Sequence, residues 1–172
     1  MKKILVTGQQ GLASAIAHAF KPDQVTTVSR SSGHDIHQWQ SWIDQFLSYD
    51  VFVNNAYCAF SQTEILMHLA ESWRHDPDKV IVNIGSMVID YKRSTGDDAD
   101  FWPYRLHKQS LDLAFSRLAR QCQCRVVMIN PGPIDTDMVE HLDVPKMSVA
   151  DVASYVVQAA RDPMVRRLDL WR

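Results

Sequence analysis

"KILVTGQQGLASAIAHAF", residues 3–20, changes its hydrophobic period partway along. Lys3 to Thr7 hold a short unbroken apolar run, Ile4 to Val6, the signature of a strand buried on both faces. Past Gly8 and Gly11 the spacing becomes helical, with Leu12, Ile16 and Phe20 on one face. Gly8 permits a tight turn between the two elements, and Gly11 lets backbone approach a ligand at the positive end of the helix. Those are the features a pyrophosphate requires. The alternative is a strand-to-helix turn that binds nothing, and the rest of the chain has to decide.

Outward from this unit the same alternation continues. "VTTVS" (25–29), "DVFVN" (50–54), "KVIVNI" (79–84), "RVVMIN" (125–130) and "RRLDLW" (166–171) read as strands. Helices are expected over 37–48, with Trp39, Ile43, Phe46 and Leu47 at helical spacing, and over 62–74, with Ile65, Leu69 and Trp73 on a stripe. A third is expected over 104–121, with Leu111, Phe115 and Leu118 inward. Ser148 and Asp151 form a capping box that opens a fourth through Ala160, with Val149, Val152, Ala153 and Val156 inward. Such alternation argues for an α/β, three-layer Rossmann-type fold: a doubly wound parallel sheet of six or seven strands in one domain, residues 1–172. One connection is anomalous. Between Ser29 and Asp35 lie only Arg30, Ser31, Ser32, Gly33 and His34, too few for a helical crossover, so a third strand there is at most a short extended segment.

The totals exclude several classes. The 172 residues carry a net charge of −2, with 46% hydrophobic and 22% charged residues. That balance gives no electrostatic case for nucleic acid or an anionic membrane. No apolar run approaches a membrane span, and the apolar run of the N-terminus is too short for a signal peptide. Cys58, Cys122 and Cys124 lack metal-ligand spacing and suit a reducing cytoplasm. The scattered histidines make no ligand pair, and no metal is expected.

Five fragments carry chemistry. "TGQQGLA" (7–13) holds the glycine turn, "NNAY" (54–57) follows one strand, and "VNIGS" (82–86) follows another. "YRLHK" (104–108) places Tyr104 and Lys108 one helical turn apart, and "NPGPIDTDM" (130–138) follows a later strand. Taken singly, "YRLHK" is no more than a phenol at a helix edge beside a solvated lysine. Together and in this order, the fragments resemble those of the short-chain dehydrogenases/reductases over almost the whole chain.

The resemblance implies an NADP(H)- or NAD(H)-dependent oxidoreductase that interconverts a small-molecule carbonyl and alcohol. It places catalysis on Ser86, Tyr104 and Lys108. Ser86 would hold the substrate oxygen and Tyr104 would exchange the proton. Lys108 would favour the phenolate and grip the nicotinamide ribose. It places the cofactor along Gly8, Gln10, Gly11 and Leu12, then Ser29, Arg30, Ser31, Asp35 and Ile36, then Asn55, Ala56 and Tyr57. Tyr104, Lys108, Pro131, Gly132, Ile134 and Thr136 complete that set, while Asn54 is expected to tie strands together. Arg30, with Ser29 and Ser31 beside it, suits a 2′-phosphate and favours NADP(H) over NAD(H). The family's usual two-fold pairing implies a homodimer through the helices at 62–74 and 104–121, where Leu66, Met67 and Leu113 lie off the apolar stripes.

The chain also departs from the pattern. The gap between Ser86 and Tyr104 is filled by a polar loop, 90–101, in which Tyr91 is a rival tyrosine without a lysine four residues on. Tyr57 replaces a glycine, and its ring is expected to narrow the cofactor pocket. The segment between Asn55 and Ser86 is short and lacks the asparagine that completes the family's catalytic tetrad through a bound water. Two other readings therefore stand beside the enzyme. One is a catalytically silent cofactor-binding sensor or scaffold. The other is a nucleotide-sugar epimerase- or reductase-like enzyme, suggested only by the glycine spacing.

Overall fold

The computed structural model describes residues 1–90, 98–141 and 143–171. Among these residues six parallel strands form one sheet: β1 (Lys3–Thr7), β2 (Gln24–Val28), β3 (Val51–Asn54), β4 (Val80–Ile84), β5 (Arg125–Pro131) and β6 (Arg167–Leu170). Their spatial order is β2-β1-β3-β4-β5-β6. The chain winds from β1 out to β2, then returns past β1 to begin the opposite half at β3. The cleft between those halves lies beyond the carboxyl ends of β1 and β3, where ligands bind in folds of this kind.

Apolar strands follow from cover on both faces. Ile4, Val6, Val51, Val53, Val80, Val82, Val127 and Ile129 point to one side, under α1 (Leu12–Ala19) and α4 (Val149–Arg161). Leu5, Phe52, Ile81, Val126 and Met128 point to the other, under α2 (Ser61–Ser72), α3 (Asp98–Gln121), Trp39 and Trp42. Alternate residues on a strand thus enter two different cores. The Ser148 hydroxyl accepts from the Asp151 N–H at the start of α4, as its capping signal requires.

Several local expectations are corrected. The segment 37–48 is not one α-helix but two 3-10 pieces, Ile36–Ser41 and Ile43–Phe46. Trp42 sits between them at φ −137°, and both indoles are anchored: Trp42 Nε1 donates to Asp35 O and Trp39 Nε1 to Glu64 Oε2. Holding two tryptophans three apart against one core suits the tighter 3-10 repeat. No third strand forms after β2; a single 3-10 turn, Arg30–Ser32, occupies that connection. Helix α3 starts well before residue 104 and carries Pro103 inside it, so Tyr104 lies within the helix rather than at its start. Leu66 is fully buried, whereas Met67 and Leu113 are 56% and 75% exposed. Tyr91 lies outside the described residues.

Candidate functional site

The turn after β1 is built around positive φ angles, 104° at Gly8 and 53° at Gly11. A Cβ on Gly8 would stand 3.0 Å from Ala13 Cβ and 3.1 Å from Asn55 Nδ2, tighter than most side-chain contacts. Gly11 precedes α1, whose first turn has no side-chain cap; the Ala13 N–H donates to Gln10 O at 3.1 Å. Thr136, in the loop after β5, faces this turn, with its methyl 3.6 Å from where a Gly11 Cβ would be.

Thr7 fixes the neighbouring loop. Its hydroxyl accepts from the N–H groups of Asn55 and Ala56, both at 2.9 Å, and its carbonyl accepts from Asn55 Nδ2 at 3.0 Å. Asn54 turns the other way, donating to Asn83 Oδ1 at 3.0 Å and to Gln62 O at 2.8 Å, so it ties β3 to β4 and to α2.

At the end of β2 a cavity of about 160 Å³ is lined by Thr7, Gly8, Ser29, Arg30, Asp35, Ile36 and Ala56, among others. His34 and Trp42, absent from the expected set, also line it, edge to face with ring centroids 5.6 Å apart. Arg30 donates through Nε to Asp35 at 3.0 Å. That pairing and the His37 N–H together hold the Asp35 carboxyl below its usual pKa, the His37 bond being the larger cause. Ser31 bonds Ser29 and Gln9, both at 2.8 Å. These residues fit a dinucleotide: an uncapped helix start, a glycine cradle that a side chain would fill, and a pocket holding both a cation and hydroxyls.

The second group converges at the ends of β4 and within α3. Gly85 has no room for a side chain, because a Cβ there would meet Asn130 Oδ1 at 1.9 Å. The next residue, Ser86, faces the Tyr104 phenol. Burial raises the Tyr104 pKa above its ordinary value, and the hydrogen bond from Ser86 pulls it back. Lys108 is 4% exposed. Its ammonium donates to Ile84 O and to Gln62 Oε1, each at 2.8 Å, and lies 5.5 Å from the Tyr104 ring centroid. Burial lowers its pKa from 10.5 to about 7. Of the groups around Tyr104, Ser86 is the one whose hydrogen bond favours the phenolate.

Tyr57 packs edge-on against Tyr104, centroids 4.9 Å apart, and its hydroxyl meets His107 Nδ1 at 2.8 Å. The sequence reading did not single out Gln62, His107 or His34. Gln62 had a visible signal: it stands three residues before Ile65, a polar side chain on an apolar helical stripe. His107 and His34 had none, since their partners come from distant segments. Among the described residues no cluster of His, Cys, Asp or Glu could hold a metal ion, and no helix is long and apolar enough to cross a membrane.

No protein-family model matches the chain, and no curated protein does. Solved structures match it almost end to end. A protein described as a short chain dehydrogenase/reductase family protein superposes with a TM-score of 0.78 at 18% identity, over 98% of this chain and 95% of that one. A short chain dehydrogenase from Burkholderia cenocepacia in complex with NADP gives 0.74 at 16% identity, over 99% and 88%. The chain has the short-chain dehydrogenase/reductase fold. A third structure of this fold, a 3-ketoacyl-(acyl-carrier-protein) reductase from Brucella melitensis complexed with NADH, gives 0.72 at 16% identity, over 98% and 96%. Within this fold, the glycine turn, the pocket after β2 and the Ser86–Tyr104–Lys108 group lie along one edge of the sheet, beyond the strands' carboxyl ends.

Proposed function

We propose that the chain is a single-domain member of the short-chain dehydrogenases/reductases, an NADP(H)-dependent oxidoreductase that interconverts a small carbonyl compound and its alcohol. The observation that carries this reading is the convergence of Ser86, Tyr104 and a buried Lys108 on the same edge of the sheet as the glycine turn and the pocket after β2. Titratable groups with displaced pKa values in a cleft are candidates for proton chemistry.

A bound nicotinamide would supply the hydride donor or acceptor. The chain's own residues do the rest. Ser86 donates a hydrogen bond to the substrate oxygen and holds it beside the phenol. Tyr104 gives its proton to that oxygen during reduction and takes it back during oxidation. Lys108, protonated, stabilises the phenolate left behind and hydrogen-bonds the nicotinamide ribose. Gly8, Gly11 and the start of α1 receive the pyrophosphate, while Arg30, Ser29 and Ser31 receive the 2′-phosphate. The test is a fluorescence titration with NADPH and NADH, followed by turnover of a panel of carbonyls. Tighter binding of NADPH and reduction of at least one carbonyl are expected. Equal affinity for the two cofactors sinks the NADP(H) preference, and no turnover sinks the enzyme.

Tyr57 favours a second reading, a silent cofactor-binding sensor or scaffold, because its ring lies against Tyr104 and Lys108 on the side a ligand would use. If that reading holds, Tyr57→Gly leaves the protein inactive; if the ring merely shapes the pocket, the variant turns over substrate with altered KM. Exposed Met67 and Leu113 on α2 and α3 support a homodimer through those helices. A monomeric mass by light scattering at micromolar concentration refutes that. A cytoplasmic setting, with no nucleic-acid or membrane partner, completes the reading.

A further inference from the structure

Gln62 is 2% exposed in the first turn of α2, a place where a glutamine usually meets water. Its side-chain amide is saturated with specific partners. Nε2 donates to Asn54 O at 2.8 Å, and lies 3.3 Å from Ile84 O and 3.4 Å from Asn55 O. Oε1 accepts from Lys108 Nζ at 2.8 Å. Carbonyl oxygens only accept and an ammonium only donates, so the amide has one possible orientation.

The lysine's side of the contact is equally constrained. An ammonium has three N–H groups, and Gln62 and Ile84 O take two. For the third, the described residues offer only the ring faces of Tyr57 and Tyr104, 5.6 and 5.5 Å away. Those two phenols are also the titratable groups facing Lys108; no carboxylate pairs with it among the described residues. The short path from Asn55 to Ser61 makes this possible, because it sets the start of α2 directly over the ends of β3 and β4.

We propose that Gln62 is a positioning residue for Lys108: its amide holds the ammonium so that the third N–H is kept for a ligand beside Tyr57 and Tyr104. This rests on the oxidoreductase reading, in which that ligand is the nicotinamide ribose. A glutamine that only joined β3 to α2 would need its N–H groups and leave the oxygen idle. Here the oxygen carries the contact to Lys108.

The test is a pH titration of Lys108 by lysine-selective NMR, with its resonance assigned by its loss in Lys108→Met, together with NADPH titration by fluorescence. Gln62→Leu keeps the volume and removes the oxygen. Its Lys108 midpoint should fall by about 1–2 pH units, as for a lost hydrogen bond to a charged group, and its NADPH dissociation constant should rise ~10-fold or more. Gln62→Glu restores an oxygen and should move the midpoint upward. A Gln62→Leu protein that melts earlier but keeps both the midpoint and the dissociation constant overturns the proposal and leaves Gln62 purely structural. If that variant does not fold, the unmutated protein decides: the Gln62 side-chain carbonyl resonance should titrate with the Lys108 midpoint, and a flat response overturns the proposal. Failure of the oxidoreductase reading is separate, since it appears as no NADPH or NADH binding by the unmutated protein.

Discussion

Arg30 and Lys108 are cations along the same edge of the sheet, held under opposite conditions. The Arg30 side chain is 83% exposed and shares a solvated ion pair with Asp35. Lys108 is 4% exposed and has two neutral oxygens and two ring faces for company. A surface pair is cheap to hold and contributes little to the fold, so its partner can be exchanged for an incoming anion. A buried ammonium costs the fold stability, and a chain that keeps one at a cleft has a use for it. On the proposed reading, the end of the cleft at Arg30 serves selection and the end at Lys108 serves chemistry. Substitutions at the two ends should differ in kind as well as in size.

The largest effect belongs to Tyr104. Tyr104→Phe keeps the ring that packs against Tyr57 and removes the transferable proton. Turnover should fall ~10²–10⁴-fold, as for a lost general acid, with NADPH affinity nearly unchanged. Steady-state kinetics beside a binding titration checks both halves. Loss of binding together with turnover would make the phenol structural and erase the contrast between the two ends. Ser86→Ala belongs with this variant, lowering turnover while sparing cofactor affinity.

Lys108→Met comes next and reads the cost of burial directly. The unfolded lysine keeps its proton up to about 10.5, the folded one only to about 7. Between those values the unfolded chain binds more protons, so stability rises with pH through that window, and the cost is fully present below about 7. The whole interval corresponds to roughly 5 kcal/mol at ~1.4 kcal/mol per pH unit. Urea midpoints at pH 6.5 and 9.5 should show this rise in the unmutated protein and a flattened response in Lys108→Met. NADPH should bind the variant more weakly, and any residual activity should have a higher pH optimum. An unmutated protein whose stability is flat over that window would place the ammonium in contact with water.

These two residues also show where the sequence was readable and where it was not. "KILVT" and "KVIVNI" announce strands because a strand covered on both faces has no polar alternation to confuse the reading, and both are buried as that requires. The spacing of Tyr104 and Lys108 is local, so one helical turn sufficed to bring them to the same face. Gln62 reaches Lys108 across 46 positions, and no local period reports a contact between two helices. Residues 37–48 failed for a related reason: tryptophan spacing fits an α-helix and a 3-10 helix almost equally, and the indole hydrogen bonds to Asp35 and Glu64 decide between them. Leu66 lies off the Ile65 stripe by helical angle, yet α3 and the sheet enclose enough of α2 to bury it completely.

The smallest effect should be at Arg30. Its guanidinium already donates to Asp35 through Nε, which leaves the terminal nitrogens in solvent, where a phosphate can meet them. Arg30→Ala should therefore weaken NADPH by roughly 10- to 100-fold, the scale of one charge-assisted hydrogen bond. Because the arginine is exposed, the melting temperature should scarcely move, unlike in Lys108→Met. Asp35 supplies the second half of the test. Once released from Arg30, the oxygen that paired with it is free to accept a ribose hydroxyl, while the other still accepts from the His37 N–H. NADH should therefore bind Arg30→Ala no more weakly than it binds the unmutated protein, and the preference should shrink or reverse. Raising the salt concentration should erode NADPH affinity in the unmutated protein more than in the variant, since an exposed charge contact is screened. If Arg30→Ala weakens NADPH and NADH equally, Arg30 only shapes the turn after β2, and selection at this end of the cleft falls to Ser29, Ser31 and His34.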